Sequence, residues 1–156
     1  MSDPILSNLF ETNVYAIRVN VEGITDAEAL LQPHPAGNCM NWVMGHILSS
    51  REGALKLFGE EPALPPDTAA RYKRGSSPIA GSGDGIPMSD LLARLAVSQE
   101  RLLRGIENAP AAKWDEERAD FGTVRRALYF LQFHEAYHAG QLAILRRLAG
   151  KKGAIQ

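Results

Sequence analysis

Apolar residues recur at intervals of three and four positions along four stretches of the chain, which is the spacing of amphipathic helices. The stretches cover residues 4–21, 38–58, 89–108 and 123–150. Residues that favour helix ends mark their limits, since Gly23 and Gly59 follow the first two stretches, while Asn38 and Thr123 begin the second and the fourth. No stretch alternates regularly enough to predict a strand. The pattern therefore predicts an all-α protein, a four-helix bundle.

Each predicted helix has an apolar face that should be directed to the core of the bundle. In the first helix this face is Ile5, Leu9, Val14, Ile17 and Val21, and in the third it is Leu91, Leu92, Leu95, Leu102, Leu103 and Ile106. In the fourth helix it is Val124, Ala127, Leu128, Leu131, His134, His138, Leu142, Leu145 and Leu148. Two histidines thus replace apolar residues within the buried face of the last helix.

The segments between the long helices predict one short helix and one long crossover loop. Thr25 and Glu28 have the spacing of a capping box, so a brief helix is expected at 26–31, before Pro33. Residues 62–87 are rich in proline, glycine and serine, which indicates an irregular connection. A connection of this length can cross the end of a bundle and let two consecutive helices run parallel.

Composition gives no support to several classes of function and partner. The chain has 156 residues, a size that suits a single domain, and a formal net charge of -1 with acidic and basic residues interspersed. This gives no electrostatic reason to expect nucleic acid or an anionic membrane as a partner. No window is long and apolar enough to predict a membrane span. The single cysteine, Cys39, allows no intrachain disulfide, and the first residues do not resemble a signal peptide, so we expect a cytoplasmic protein.

The sequence His-Glu-Ala-Tyr-His at residues 134–138 is the first candidate for chemistry. Histidines four apart share a helix face, with side chains roughly 5–6 Å apart, and can chelate one divalent ion. The string also fits H-E-x-x-H, in which Glu135 would be the general base of a metalloprotease. That motif needs a third ligand, but residues 139–156 contain no histidine, aspartate, glutamate or cysteine. A third protein ligand must therefore lie upstream.

His46 is the upstream residue best placed to complete such a site. It lies on the mostly apolar or small face of the second helix, whereas His34 lies in a loop between two prolines, where we assign it no role. If the second and fourth helices are neighbours, His46 meets His134 and His138, leaving an open coordination position typical of catalytic zinc sites. Gln141 points into the same sector as the two histidines of the last helix.

Residues 41–47 (NWVMGHI) and 134–142 (HEAYHAGQL) also carry a resemblance to a known family. The chain resembles the DinB/YfiT-like family of damage-inducible helical bundles, which is distinct from the DNA polymerase of similar name. The resemblance implies an up-down-down-up bundle, a divalent metal, usually zinc or nickel, on His46, His134 and His138, and a homodimer. It also implies a transferase or isomerase that uses a low-molecular-weight thiol.

The three candidate histidines favour a metal-dependent enzyme, and the resemblance implies that it activates a small thiol for transfer to an electrophile. Two alternatives remain open, namely a metallohydrolase that activates water with Glu135 as base, and a non-catalytic bundle that binds metal or dimerises. A carboxylate beside a ligand more commonly orients an imidazole than acts as a base. Trp42 and Ser50 are expected near the pocket as packing or hydrogen-bonding groups, and Cys39 as a small buried residue without a role.

Overall fold

The computed structural model of the chain describes residues 3–34, 37–79, 81 and 83–155. Within these residues the helices are α1 (Pro4–Val21), α2 (Asp26–Ala29), α3 (Met40–Leu57), α4 (Pro66–Arg71), α5 (Met88–Asn108), α6 (Ala111–Trp114) and α7 (Val124–Leu148), and a small hairpin consists of β1 (Glu117–Arg118) and β2 (Gly122–Thr123). The four long helices are α1, α3, α5 and α7. The prediction of an all-α bundle is confirmed.

Contacts between the long helices give their order and direction. Helix α1 packs on α5 and α7, and α3 packs on the same two helices from the other side. Asn13 bonds to the Gln132 carbonyl and Arg146 to the Asn20 carbonyl, so α1 and α7 run parallel. The cross-helix contacts described below show that α3 runs antiparallel to α7 but parallel to α5. The topology is therefore up-down-down-up, with the crossover between α3 and α5.

The helix ends agree with the predicted caps at two positions and differ at one. Thr25 and Glu28 form the predicted capping box, and Thr123 accepts from the backbone N–H of Arg126. The predicted N-cap at Asn38 is wrong, since the N-cap of α3 is Cys39, one position later, and it makes no side-chain cap bond. Asp3 adds a cap at α1, where it accepts from the backbone N–H of Leu6.

The predicted core face of α1 is confirmed at Ile17 and Val21 but wrong at Ile5. Ile5 is 67% exposed, whereas the buried residues of this helix are Leu6, Phe10, Asn13, Ile17, Asn20 and Val21. Two asparagines belong to this face because their amides donate to carbonyls, Asn13 to Gln132 and Asn20 to Ala16. A polar residue whose amide N–H group is hydrogen-bonded can be buried, which an apolar pattern does not anticipate. The Oδ1 atom of Asn20 is buried without a partner among the described residues.

Short elements are the other departure from prediction. The 62–87 connection contains α4, and the segment before α7 contains α6 and the β1–β2 hairpin, so the expectation of no strand is wrong. Each strand has two residues, too few to give a period. Along the described part of the chain, no helix has both the length and the apolar character that crossing a membrane requires.

A buried ion pair joins three of the long helices. The guanidinium of Arg51 on α3 donates to both carboxylate oxygens of Glu135 on α7, at 2.6 and 2.9 Å. It also donates to Ser98 Oγ and Gln99 Oε1 on α5, both at 2.9 Å. The side chains of Arg51 and Glu135 are 0% exposed. Because the charges are matched and hydrogen-bonded, the pair can be buried in an otherwise apolar core.

We expect Glu135→Leu to lower the free energy of unfolding by about 3–5 kcal/mol, because it leaves the Arg51 guanidinium buried without a counter-charge. The double variant Arg51→Met/Glu135→Leu should recover much of this loss, since it replaces the pair by apolar groups. Urea unfolding of the two variants and the native chain measures both effects. A Glu135→Leu variant as stable as the native chain would contradict the assignment.

Candidate metal centre

Three histidines from two helices converge near the middle of α7. His46 lies on α3, and His134 and His138 lie one turn apart on α7. The Nε2 atom of His134 is 3.3 Å from Nε2 of His46 and 3.1 Å from Nε2 of His138. Among the described residues these three form a group whose ligand atoms all lie within 4.8 Å of one another. The structure thus brings together the three residues selected from the sequence.

In two of these rings, a hydrogen bond determines which nitrogen carries the proton. Nδ1 of His46 lies 2.7 Å from the carbonyl oxygen of Tyr72, and Nδ1 of His138 lies 2.7 Å from Oε1 of Gln141. A carbonyl oxygen only accepts, so Nδ1 is the protonated atom in both neutral rings. Their Nε2 lone pairs therefore point toward His134 and the centre of the cluster.

The donor set fits a divalent ion. Zinc–nitrogen bonds of about 2.0–2.1 Å at tetrahedral angles place two donor atoms about 3.3 Å apart. The two measured separations, 3.1 and 3.3 Å, match this edge length. Nδ1 of His134 is buried and has no hydrogen-bond partner within the described ranges. In contrast to the other two rings, no acceptor therefore holds the proton of this ring on Nδ1, the nitrogen that faces away from the cluster. One imidazole proton cannot satisfy two facing lone pairs equally, whereas a central cation can.

Burial keeps all three imidazoles in the neutral form that metal binding needs. Burial, followed by the nearby His138 and His46, lowers the pKa of His134 to about 4. Burial is also the main cause that lowers the pKa of His46 and of His138, although the Tyr72 carbonyl and the Gln141 amide oppose it. Near neutral pH the rings therefore offer lone pairs without competition from protons.

Two aromatic side chains hold His46 in place. The ring of Trp42, one turn earlier on α3, stacks on the imidazole at 4.6 Å between centroids, and its Nε1 donates to Ser76 Oγ. The ring of Tyr72 packs directly on Gly45, where any Cβ would overlap it. Gly45 is thus the residue that lets the Tyr72 segment come close enough for its carbonyl to bond the imidazole.

The remaining residues selected from the sequence have different positions. Gln141 contacts His138 as described, and Ser50 is half-buried on α3. Glu135 is fully buried with both oxygens on Arg51, so it is neither an accessible base nor bonded to an imidazole. Cys39 is buried outside the cluster, and burial raises the pKa of its thiol. His34 is exposed and lies outside the cluster.

An apolar pocket of about 270 Å³ adjoins the cluster. It lies between α3, the β1–β2 hairpin and α7, and His134 forms one end of it. The lining residues are Ser50, Gly53, Ala54, Leu57, Arg118, Phe121, Ala127, Leu128, Phe130, Leu131 and His134. A ligand in this pocket would contact a residue of the metal centre.

Comparison with known proteins identifies the class of this bundle. The model of the DinB superfamily matches residues 10–142, and the chain therefore belongs to the DinB superfamily. The chain is similar to a solved structure described as a conserved protein from Enterococcus faecalis, with 16% identity and a TM-score of 0.74 over 97% of this chain and 99% of that one. At this identity the likeness concerns the fold alone. No curated protein matches the chain.

Tyr72 and Arg51 contribute to the centre but were not selected from the sequence. Tyr72 acts through its backbone carbonyl, and a carbonyl has no sequence signal. Arg51 resembles an ordinary surface residue of a helix. One signal was available for each, since Gly45 beside His46 indicates a close approach, and Arg51 is five residues after His46 on the same helix.

We expect His46→Ala, His134→Ala and His138→Ala each to lose most of the bound metal, because two imidazoles from this set cannot hold an ion as three do. His34→Ala is the matched control and should keep the native stoichiometry. Elemental analysis of the four purified variants, with circular dichroism to check folding, measures this. Full metal content in a folded His46→Ala variant would contradict a site shared by both helices.

Proposed function

We propose that the protein is a metal-dependent enzyme that activates a low-molecular-weight thiol for transfer to an electrophile. The observation that carries the proposal is the convergence of three neutral imidazoles at the end of a pocket. Within the described ranges no carboxylate or thiol joins this cluster. The protein thus supplies three donors and leaves room for an exogenous ligand, as in catalytic sites and unlike closed structural ones.

Neutral ligands determine the chemistry of such a site. A divalent ion on three imidazoles keeps its full positive charge and lowers the pKa of a coordinated thiol or water. Imidazole donors suit zinc and nickel, the two metals we propose. The preference for a thiol over water rests on the resemblance to thiol-dependent members of the DinB/YfiT-like family. In the transfer, the sulfur forms a bond to the electrophilic carbon, the leaving group departs with its electron pair, and the thiol proton passes to solvent.

The chain's own residues position the reactants. His46, His134 and His138 hold the ion, and the Tyr72 carbonyl and Gln141 orient two of the rings. The half-buried Ser50 lines the pocket beside His134, where its hydroxyl can bond a polar group of a reactant. Trp42 covers one side of His46 and keeps water from that face.

The two alternative functions fit these contacts less well. A metallohydrolase with Glu135 as base requires an accessible carboxylate, but both Glu135 oxygens are bonded to Arg51 in the core. A non-catalytic metal protein does not require a pocket beside the ligands. The pocket that ends at His134 favours an enzyme over a purely structural site.

We expect zinc- or nickel-loaded protein to accelerate the reaction of a small thiol with 1-chloro-2,4-dinitrobenzene, measured by the absorbance of the thioether product. Metal-free protein and His138→Ala should show the uncatalysed rate, while His34→Ala keeps the native rate. A panel of thiols that includes glutathione and cysteine identifies the preferred one. Hydrolysis of 4-nitrophenyl acetate without thiol, together with no thioether formation, would favour the hydrolase instead.

A homodimer across the outer face of α7 is the assembly we propose. Phe130, Phe133, Tyr137, Gly140 and Ile144 follow one another at intervals of three and four, the spacing of a seam between two helices. Phe133, Tyr137 and Ile144 are 62, 58 and 66% exposed. Gly140 adds open space at the middle of this face, which allows close approach of a second helix. The α7 helix of a second copy supplies the same spacing.

We expect the double variant Phe133→Glu/Ile144→Glu to be monomeric, because it would place carboxylates in an apolar interface. Ile5→Glu is the matched control, since Ile5 is similarly exposed but lies on α1. Size-exclusion chromatography with light scattering measures the mass of native protein and both variants. A native chain that is monomeric at high concentration would refute the dimer.

A further inference from the structure

The apolar pocket beside His134 has chemically different ends. One end is His134 itself, and the other is Arg118 on β1. Arg118 is paired with Gly122 on β2, two residues before α7 begins, so it lies near the N-terminal end of that helix. His134 is ten residues into α7, and a rise of about 1.5 Å per residue separates the two levels by about 15 Å. A ligand that fills the pocket therefore extends from the hairpin toward the metal centre.

The charge of the lining residues indicates which ligands this pocket accepts. Arg118 is the one charged residue among those that line it, and no carboxylate does so within the described chain. The Arg118 side chain is exposed and takes part in none of the ion pairs found among the described residues, which leaves its guanidinium available to a ligand. A guanidinium binds carboxylate or phosphate through paired N–H donors.

The walls of the pocket suit a flat apolar body. The rings of Phe121 and Phe130 lie 5.0 Å apart, and the Phe130 ring lies 6.4 Å from that of His134 at an angle of 27°. Gly53, Ala54 and Ala127 leave space between these aromatic walls and α3. The volume of about 270 Å³ is below the range of about 300–1,000 Å³ for sites of drug-sized ligands. It accommodates one ring or a short alkyl chain.

We infer that this pocket binds the electrophilic substrate of the proposed transfer, and that this substrate is a small anionic molecule with an aromatic or alkyl body. Its apolar part lies between Phe130 and the small residues of α3, and its reactive carbon is directed to His134. Its anionic group contacts Arg118, whose long side chain lines the same pocket and covers part of the distance between the two backbone levels. The identification of the bound molecule as a substrate rests on the proposed function. The binding of an apolar anion does not depend on it.

Direct binding tests the inference without any turnover. The probes are phenylacetate, the neutral phenylacetamide and the cationic benzylamine, titrated into metal-loaded and metal-free protein by calorimetry. We expect phenylacetate to bind most tightly in both forms. Arg118→Gln should weaken phenylacetate by about fivefold, as for an exposed charge pair, and leave phenylacetamide unchanged. Arg126→Gln, at an exposed arginine near the start of α7 that does not line the pocket, is the matched control.

Two further variants test the pocket itself. Ala127→Phe should fill it and abolish binding of both phenylacetate and phenylacetamide, and Ala96→Phe, on the exposed face of α5, should not. Because Ala127→Phe can also disturb packing, Phe130→Ala is the second variant, since this half-exposed ring can be removed without opening the core. It should weaken both probes, and unfolding curves and metal content verify that each variant is intact. Because Phe130 also belongs to the proposed α7 seam, light scattering verifies that the variant keeps the native mass.

Several outcomes would overturn the inference. Equal affinity for the anion, the amide and the amine would remove the charge preference, and unchanged binding to Phe130→Ala or Ala127→Phe would place the ligand elsewhere. Loss of phenylacetate binding on metal removal would show that the carboxylate binds the metal and not Arg118. If phenylacetate binds as expected but thiol transfer is not observed, the proposed function is refuted, whereas the inference that the pocket binds apolar anions is not.

Discussion

The buried ion pair between Arg51 and Glu135 is the constraint on which the site depends. Glu135 is the residue after His134, and Arg51 is little more than one turn beyond His46. A salt bridge with paired hydrogen bonds tolerates little sliding or rotation of one helix against the other, because any such movement leaves a buried charge unpaired. It therefore fixes the relative position of α3 and α7 beside the three histidines. Ser98 and Gln99 extend the same constraint to α5.

This arrangement changes the meaning of the H-E-x-x-H pattern. In a metalloprotease helix the glutamate faces the substrate, whereas here it faces the core and meets an arginine. The helical period places Glu135 at the border between the buried and exposed faces, so both directions were compatible with the sequence. The choice depends on whether a partner of opposite charge is present on the neighbouring helix, and that is a property of the packed structure.

The long helices and two of the caps followed from spacing alone, because each depends on a regular period or a fixed capping interval. The convergence of His46 with the α7 pair required in addition that α3 and α7 be neighbours, which the family resemblance implied and the spacing did not. In α1, Ile17 and Val21 are buried as the spacing predicted, but Asn13 and Asn20 also join the buried face because their amide N–H groups donate to backbone carbonyls. The hairpin and α6 are too short to have a period. Tyr72 could not be found, because its contribution is a backbone carbonyl brought to His46 by a close approach over Gly45.

Rigidity and adaptability are separated within the site. On one side, the imidazoles of His46 and His138 are held by hydrogen bonds, a stacked Trp42 and the nearby ion pair, so small displacements of these candidate ligands are costly. On the other side, Phe121, Phe130 and Arg118 are exposed to solvent and lie on or beside a short hairpin, where side chains can be exchanged without disturbing the core. A bundle built in this way can keep one cluster of histidines unchanged while the residues of the hairpin and the first turns of α7 determine which molecule reaches it.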